Sequence, residues 1–173
     1  MSKLQRYIFL SLLTAGAMIL SIIEGMIPLP FIAPGARLGL ANIVTLTAIV
    51  IFGFKDSMLV VILRCVLMMF VAGNPISFIY SVTSGVLSVI VMHMGLKYTK
   101  KYFSLIGISV LGAITHNASQ ITVSAIMFES LSMYTYLPIM SLVSIFTGCF
   151  VGYTSIYITD NLNKNLLNKT KEV

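Results

Sequence analysis

Residues 103–128 form an apolar run without one charged side chain, yet its middle reads Gly112-Ala113-Ile114-Thr115-His116-Asn117-Ala118-Ser119-Gln120. A helix of this length reaches across a bilayer. Hydrocarbon does not tolerate a histidine, an asparagine and a glutamine on one span unless each finds a partner. His116 and Gln120 lie one helical turn apart and share a face, with Asn117 at its flank. Ser109, Gly112, Ala113 and Ser124 continue the same stripe. Such a stripe faces other helices, where its polar groups bond across the interface, or it lines a cavity or a ligand. Three large polar side chains so close together exceed what helix packing requires, which favours the second reading.

The rest of the chain has the same character. Of its 173 residues 58% are hydrophobic and 9% charged, against about a quarter charged in a soluble domain. The length suits one compact domain. The expected fold is therefore an all-α membrane protein with six transmembrane helices, near residues 7–27, 38–54, 58–72, 76–96, 103–128 and 134–158. The net charge of +6 raises the question of nucleic acid. The basic residues gather instead at the ends of the apolar runs, as the positive-inside rule requires, so no nucleic-acid partner is expected. Lys3, Arg6, Lys55, Lys97, Lys100, Lys101, Lys164, Lys169 and Lys171 all fall on one side of that topology. Both termini are thus expected in the cytoplasm of a multi-pass cell-membrane protein, with residues 1–160 as a single domain and 161–173 as a polar tail. The first run is long for a signal peptide and lacks a small-x-small site, so it reads as a span rather than a cleavable leader. Cys65 and Cys149 lie inside spans and belong to no CxxC or metal spacing, so they read as small apolar fillers.

Four further polar residues and a proline-rich segment stand out against this background. Glu24 sits near the outer end of the first span, either as an end residue reaching for water or as part of an outward-facing site. After it come Pro28, Pro30 and Pro34, three of the five prolines of the chain. Proline breaks helices, and this segment is still apolar, so it reads as a re-entrant or capping loop folded back over the protein. Arg37 is the one cation expected on the outer side; it is a headgroup anchor or has a role in a site. Asn42 lies at the outer start of the second span. Arg64 lies near the middle of the third, where insertion costs roughly 3 kcal/mol. It must face inward, toward a carboxylate, carbonyls, water or an anionic ligand; a structural Arg–Glu pair with Glu24 or Glu129 is the plainer alternative.

Serines at 77, 81, 84 and 88, with Gly85, give the fourth span a small-residue face that suits packing or one wall of a polar cavity. His93 reads as interfacial. Gly148-x-x-x-Gly152, on a face with Ser141, Ser144, Ser155 and Thr159, is a common packing device. There is no repeat at a fixed short period. Glu24, Arg37, Asn42, Arg64, His116, Asn117 and Gln120 together map to the middle or outer half of the bilayer. Two arginines with amide and imidazole groups suit the polar or anionic head of a small or amphiphilic ligand. No GxxxxGK[ST], HExxH or GxSxG motif is present, and the two aspartates, Asp56 and Asp160, stand apart in sequence. Enzymes that handle diphosphates through magnesium supply clustered carboxylates, so neither catalysis nor a metal or other cofactor is expected.

The block Gly35-Ala36-Arg37-Leu38-Gly39-Leu40-Ala41-Asn42-Ile43-Val44-Thr45-Leu46, then Leu63-Arg64, Tyr80-Ser81, Ser84-Gly85 and residues 107–120, resembles the Gx transporter family. Its members are often labelled heptaprenyl diphosphate synthase component I. That family is similar to the substrate-binding S components of energy-coupling factor transporters. The resemblance implies six helices, an outward-facing site capped by the first outer loop, and a first helix that meets a transmembrane coupling subunit driven by ATPases. It makes the proline-rich segment the lid and puts Ser11 and Ala15 at the partner contact, where the family carries an AxxxA-type pattern and Ser11 departs from it. The label implies a different role, in prenyl diphosphate or quinone synthesis.

Overall fold

The computed structural model describes residues 3–27, 37–98, 102–162 and 164. The proline-rich segment expected to form a lid and most of the polar tail lie outside them. Six helices follow in order: α1 (Lys3–Gly25), α2 (Asn42–Phe52), α3 (Phe54–Ala72), α4 (Pro75–Tyr98), α5 (Leu105–Met127) and α6 (Leu137–Leu162), with a 3-10 turn at Leu131–Tyr136 leading into α6. Three helical stretches are long and apolar enough to cross a membrane: Lys3–Gly25, Pro75–Tyr98 and Leu131–Leu162. The outward surface is strongly apolar, with Leu131 82%, Phe70 78% and Phe146 76% exposed. Apolar exposure on this scale marks a surface that meets lipid or protein rather than water.

The second predicted span is corrected. Residues 37–41 are not helical, and α2 has 11 residues, about 16 Å at 1.5 Å per residue against a hydrocarbon core of about 30 Å. A short apolar helix of this kind belongs in a protein core. Residues Asn42 to Ile49 are all buried, so α2 is enclosed on every side. It packs against α1, α3, α4 and α6. The turn expected at Lys55-Asp56-Ser57 lies instead at Gly53, whose φ of 86° ends α2 while its N–H reaches back to the carbonyls of Ala48 and Ile49. Glycine adopts that φ without the steric cost other residues bear. Lys55, Asp56 and Ser57 then open α3. At the other end of the chain, α6 runs two residues beyond the expected domain boundary, to Leu162.

Small and polar residues do the joining. Ser88 Oγ donates to the Gly112 carbonyl at 3.0 Å, linking α4 to α5, and Ser155 Oγ donates to the Ile43 carbonyl at 3.0 Å, linking α6 to α2. The GxxxG pair works as expected of a packing device. A Cβ on Gly148 would stand 2.6 Å from Val110 Cα, and one on Gly152 would stand 2.8 Å from Ile106 Cα. Backbone therefore meets backbone where α6 crosses α5. The serine face of α4 divides: Ser84 and Ser88 are buried among helices, while Ser77 and Ser81 turn toward the site described below. α1 packs on α2 and α3. Its lower end is held by Arg6, whose guanidinium meets the Asp56 carboxylate at 2.6 Å, so Asp56, isolated in sequence, is paired in space. His93 stacks on Phe54 with ring centroids 4.7 Å apart.

These contacts separate two glycines. Gly148→Ala pushes a methyl into the α5 backbone and should cost about 1–3 kcal/mol. Gly16→Ala on α1 meets nothing within 4 Å and should gain up to about 1 kcal/mol from helix propensity. Thermal unfolding of the two variants in one detergent checks this: the first transition falls and the second holds or rises.

Candidate functional site

The five residues leading into α2 build the site. Gly39 has a φ of +86°, which tips its own N–H and that of Leu40 toward α1. Both N–H groups donate to the Glu24 carboxylate, Gly39 to Oε1 and Leu40 to Oε2, the latter at 3.2 Å. Glu24 is buried at the end of the inner face of α1, which runs Leu10, Thr14, Ala17, Ser21, Glu24 at helical spacing. Its carboxylate serves as an acceptor for a backbone segment that no helix or sheet satisfies, a strong form of hydrogen bond because the acceptor is charged. The same segment is fixed on its other flank. Arg37 N–H donates to Gln120 Oε1 at 2.7 Å, and Arg37 Nη2 donates to Ser77 Oγ at 2.8 Å. Gln120 in turn places its Nε2 3.1 Å from His116 Nε2. With the amide as donor, the ring accepts at Nε2, and Nδ1 is buried without a hydrogen-bond partner among the described residues.

Arg64 completes the wall. It rises from the middle of α3, is 5% exposed, and lines one void with Ser21, Glu24, Arg37, Gly39, Ser81, His116 and Gln120. That void has about 10 Å³ of room for water centres, enough for about one water molecule. Arg64 and Arg37 both act on Glu24 through space, but among the described residues Arg64 makes no ion pair. Its one hydrogen bond there is a weak one to Cys65 Sγ at 3.7 Å. The structural Arg–Glu pair weighed from the sequence is therefore absent from the described residues: Glu24 spends its oxygens on backbone, and Glu129 is exposed on the turn after α5.

Of the seven residues singled out in the sequence, five share this void: Glu24, Arg37, Arg64, His116 and Gln120. Asn117 does not. Its Nδ2 donates to Ser144 Oγ at 2.6 Å and to the Met140 carbonyl at 3.4 Å, so it joins α5 to α6. The one-residue step from His116 to Asn117 turns the side chain about 100° round the helix and explains the split. Asn42 is adjacent but walled off. A Cβ on Gly39 would stand 2.9 Å from Asn42 Nδ2 and 3.2 Å from His116 Cδ2, so Gly39 is packed over both. Ser21, Gly39, Ser77 and Ser81 take part without having been singled out as site residues, since small residues in apolar runs look alike whether they pack or line a cavity. Ser11 and Ala15 lie exposed on α1. Among the described residues no group of three His, Cys, Asp or Glu side chains gathers as a metal site.

The Glu24 carboxylate gives a direct test. Glu24→Ala leaves two backbone N–H groups without their acceptor, a loss of about 2 kcal/mol or more, seen as a fall in unfolding temperature of about 4–8 °C. Amide exchange at Gly39 and Leu40 should quicken in the same variant. Glu24→Gln keeps one acceptor oxygen and should lose less; equal behaviour of the two variants would remove the carboxylate from its assigned role.

No curated protein and no solved structure matches the chain. One family model does, that of heptaprenyl diphosphate synthase component I, over residues 13–158. The match takes in the second half of α1 and runs to nearly the end of α6, with every residue of the site, and the chain belongs to the heptaprenyl diphosphate synthase component I family.

Proposed function

We propose that this protein is a substrate-capture subunit of an uptake transporter, resembling the S components of energy-coupling factor systems. In this reading all six helices lie in the cell membrane with both termini in the cytoplasm. The void beside Glu24 opens toward the outer side and takes a small polar or amphiphilic ligand. A separate coupling subunit, meeting α1 near Ser11 and Ala15, and ATPases supply the energy. The chain itself performs no chemistry. The observation that supports the reading is the buried arginine, Arg64, facing a small polar void without an ion pair among the described residues, while the one carboxylate there, Glu24, is bonded to backbone and shared with Arg37. A guanidinium withdrawn from water and left without an anion destabilises its protein, unless a guest completes it.

A second reading is favoured by the family description itself, which names a component of heptaprenyl diphosphate synthase. On that reading the chain assists or performs prenyl chain elongation. Among the described residues its acids do not gather: Glu24 is taken by backbone and Asp56 by Arg6. A diphosphate-handling site would need partners from another subunit.

Two measurements separate the readings. Affinity purification of the tagged chain from its own membranes should bring down an ATPase module. Incubation of the purified chain with an allylic diphosphate and isopentenyl diphosphate should give no longer product. Turnover of those diphosphates, or copurification with a soluble prenyl synthase in place of the ATPases, would replace the transport reading with the biosynthetic one.

A further inference from the structure

Three charged side chains line the void: Glu24, Arg37 and Arg64. Glu24 accepts from Gly39 and Leu40, and Arg37 donates to Ser77 and Gln120. Arg64, 5% exposed, has only the Cys65 thiol at 3.7 Å as a hydrogen-bond partner among the described residues. The rest of the chain holds no acid in reserve for it. Of the five acids, Asp56 is bonded to Arg6, Glu129 and Asp160 are exposed, and Glu172 is next to last in the sequence. Residues 28–36 read Pro-Leu-Pro-Phe-Ile-Ala-Pro-Gly-Ala and bring neither a charge nor a hydrogen-bonding side chain. His116, on the same lining, is a second unmet donor. Arg37 N–H donates to Gln120 Oε1, which turns the Nε2 of that amide toward His116 Nε2. A neutral ring that accepts at Nε2 carries its proton on Nδ1, and Nδ1 is buried without a partner among the described residues.

We propose that this void is a binding site for a monatomic anion, a halide such as chloride, held by the Arg64 guanidinium beside the His116 ring. Charge, size and bonding each point to it. With His116 neutral, two arginines and one glutamate leave a single formal positive charge on the lining. One monoanion closes that balance; a water leaves the charge unmet, and a dianion reverses it. The void has about 10 Å³ of room for water centres, enough for about one water molecule. A halide is one atom, whereas a carboxylate or phosphate brings several and needs the void to widen. The unmet groups are donors, and a halide accepts from any direction while donating nothing. Glu24 opposes an anion here, but two backbone N–H groups cover its oxygens and Arg37 shares its charge. The inference goes beyond the capture reading and does not rest on it: the guanidinium needs its charge met whether the chain transports or assists synthesis.

The test follows the unfolding temperature of the full chain in lipid nanodiscs against sodium chloride, with sodium gluconate holding the ionic strength constant. Chloride at about ten times its dissociation constant should raise the wild-type transition by about 3–6 °C, along a curve that saturates. Bromide should act in the same way, and sulfate should not. Arg64→Met should flatten the chloride curve, moving its midpoint at least about tenfold higher. A second measurement needs no variant: in wild-type crystals soaked in bromide, the anomalous signal should lie beside the Arg64 guanidinium. If Arg64→Met fails to fold, the bromide position decides alone. A wild-type transition indifferent to chloride, an equal rise in Arg64→Met, or bromide bound only elsewhere overturns the proposal. Stabilisation by formate without any by chloride also overturns it, and assigns Arg64 to a carboxylate instead. The capture reading survives each of these failures, because copurification with an ATPase module decides it separately.

Discussion

The acceptance of two backbone N–H groups by the Glu24 carboxylate is the interaction on which the rest of the architecture depends. Residues 37–41, which lead into α2, are buried or half-buried, and in the interior an unpaired N–H costs as much as a lost hydrogen bond. A helix would satisfy those groups, but residues 37–41 are not helical. One carboxylate does it instead, and in doing so joins the end of α1 to the start of α2. The other end of α1 is tied by Arg6 and Asp56. α1 is thus held by a charged contact at each end and by small residues between, in keeping with its position at the edge of the bundle. The same carboxylate brings a negative charge close to Arg37 and Arg64, so one residue organises backbone and electrostatics together.

The interior inverts the pattern of a soluble protein. Ser84, Ser88, Ser144, Ser155, Gln120 and Asn117 are buried, while many phenylalanines, tyrosines, isoleucines and leucines point outward. In lipid the apolar side chains gain little from leaving their surroundings, so helices associate through close backbone contact and hydrogen bonds between them. The α5–α6 pair shows both: Gly148 and Gly152 let the backbones touch, and Asn117 reaches across to Ser144. The apolar cluster of Ile43, Leu46, Ile49, Val61, Cys65, Val89, Met92, Ile108 and Val151 fills the space around α2. α2 is hydrophobic on all sides, which suits a helix surrounded by protein.

This inversion explains what could be read from the sequence. Apolar run length located α1, α3, α4, α5 and α6 to within a few residues, because length and hydropathy are properties of the chain alone. The stripe from Ser109 to Ser124 on α5 was legible for the same reason, since helical spacing fixes which residues share a face. α2 was placed about as closely, but its enclosure by protein was not legible: a buried apolar helix and a lipid-facing one have similar composition, and the break at residues 37–41 depends on Glu24, which lies on another element. That Asn117 bonds to α6 and not to the void was not legible, because hydrogen bonds to Ser144 and to a cavity draw on one and the same residue type. Arg64 and Glu24, both unmistakable in sequence, do meet at one void, but not as the ion pair their charges suggest. Backbone competes for the carboxylate, and competition of that kind is invisible until the chain is folded.

A buried charge without an ion pair distinguishes this site from the helix joints around it. Ser88 and Ser155 each end on a carbonyl of a neighbouring helix, and Asn117 ends on Ser144; removing any of them loosens an interface. Arg64 and Asn42 end on nothing that repays their burial. Apolar residues of equal size would pack as well in both places without the desolvation penalty. A chain that keeps an arginine at the centre of a helix bundle, and an amide behind a glycine wall, holds stability below what its fold permits. Functional sites bear such deficits because the missing partner arrives from outside. Among the described residues, polar atoms without partners also lie at His116 Nδ1, which lines the same void, and at Ser109, Asn117 and Thr159 on α5 and α6, so it is the guanidinium of Arg64 that sets this void apart from the joints.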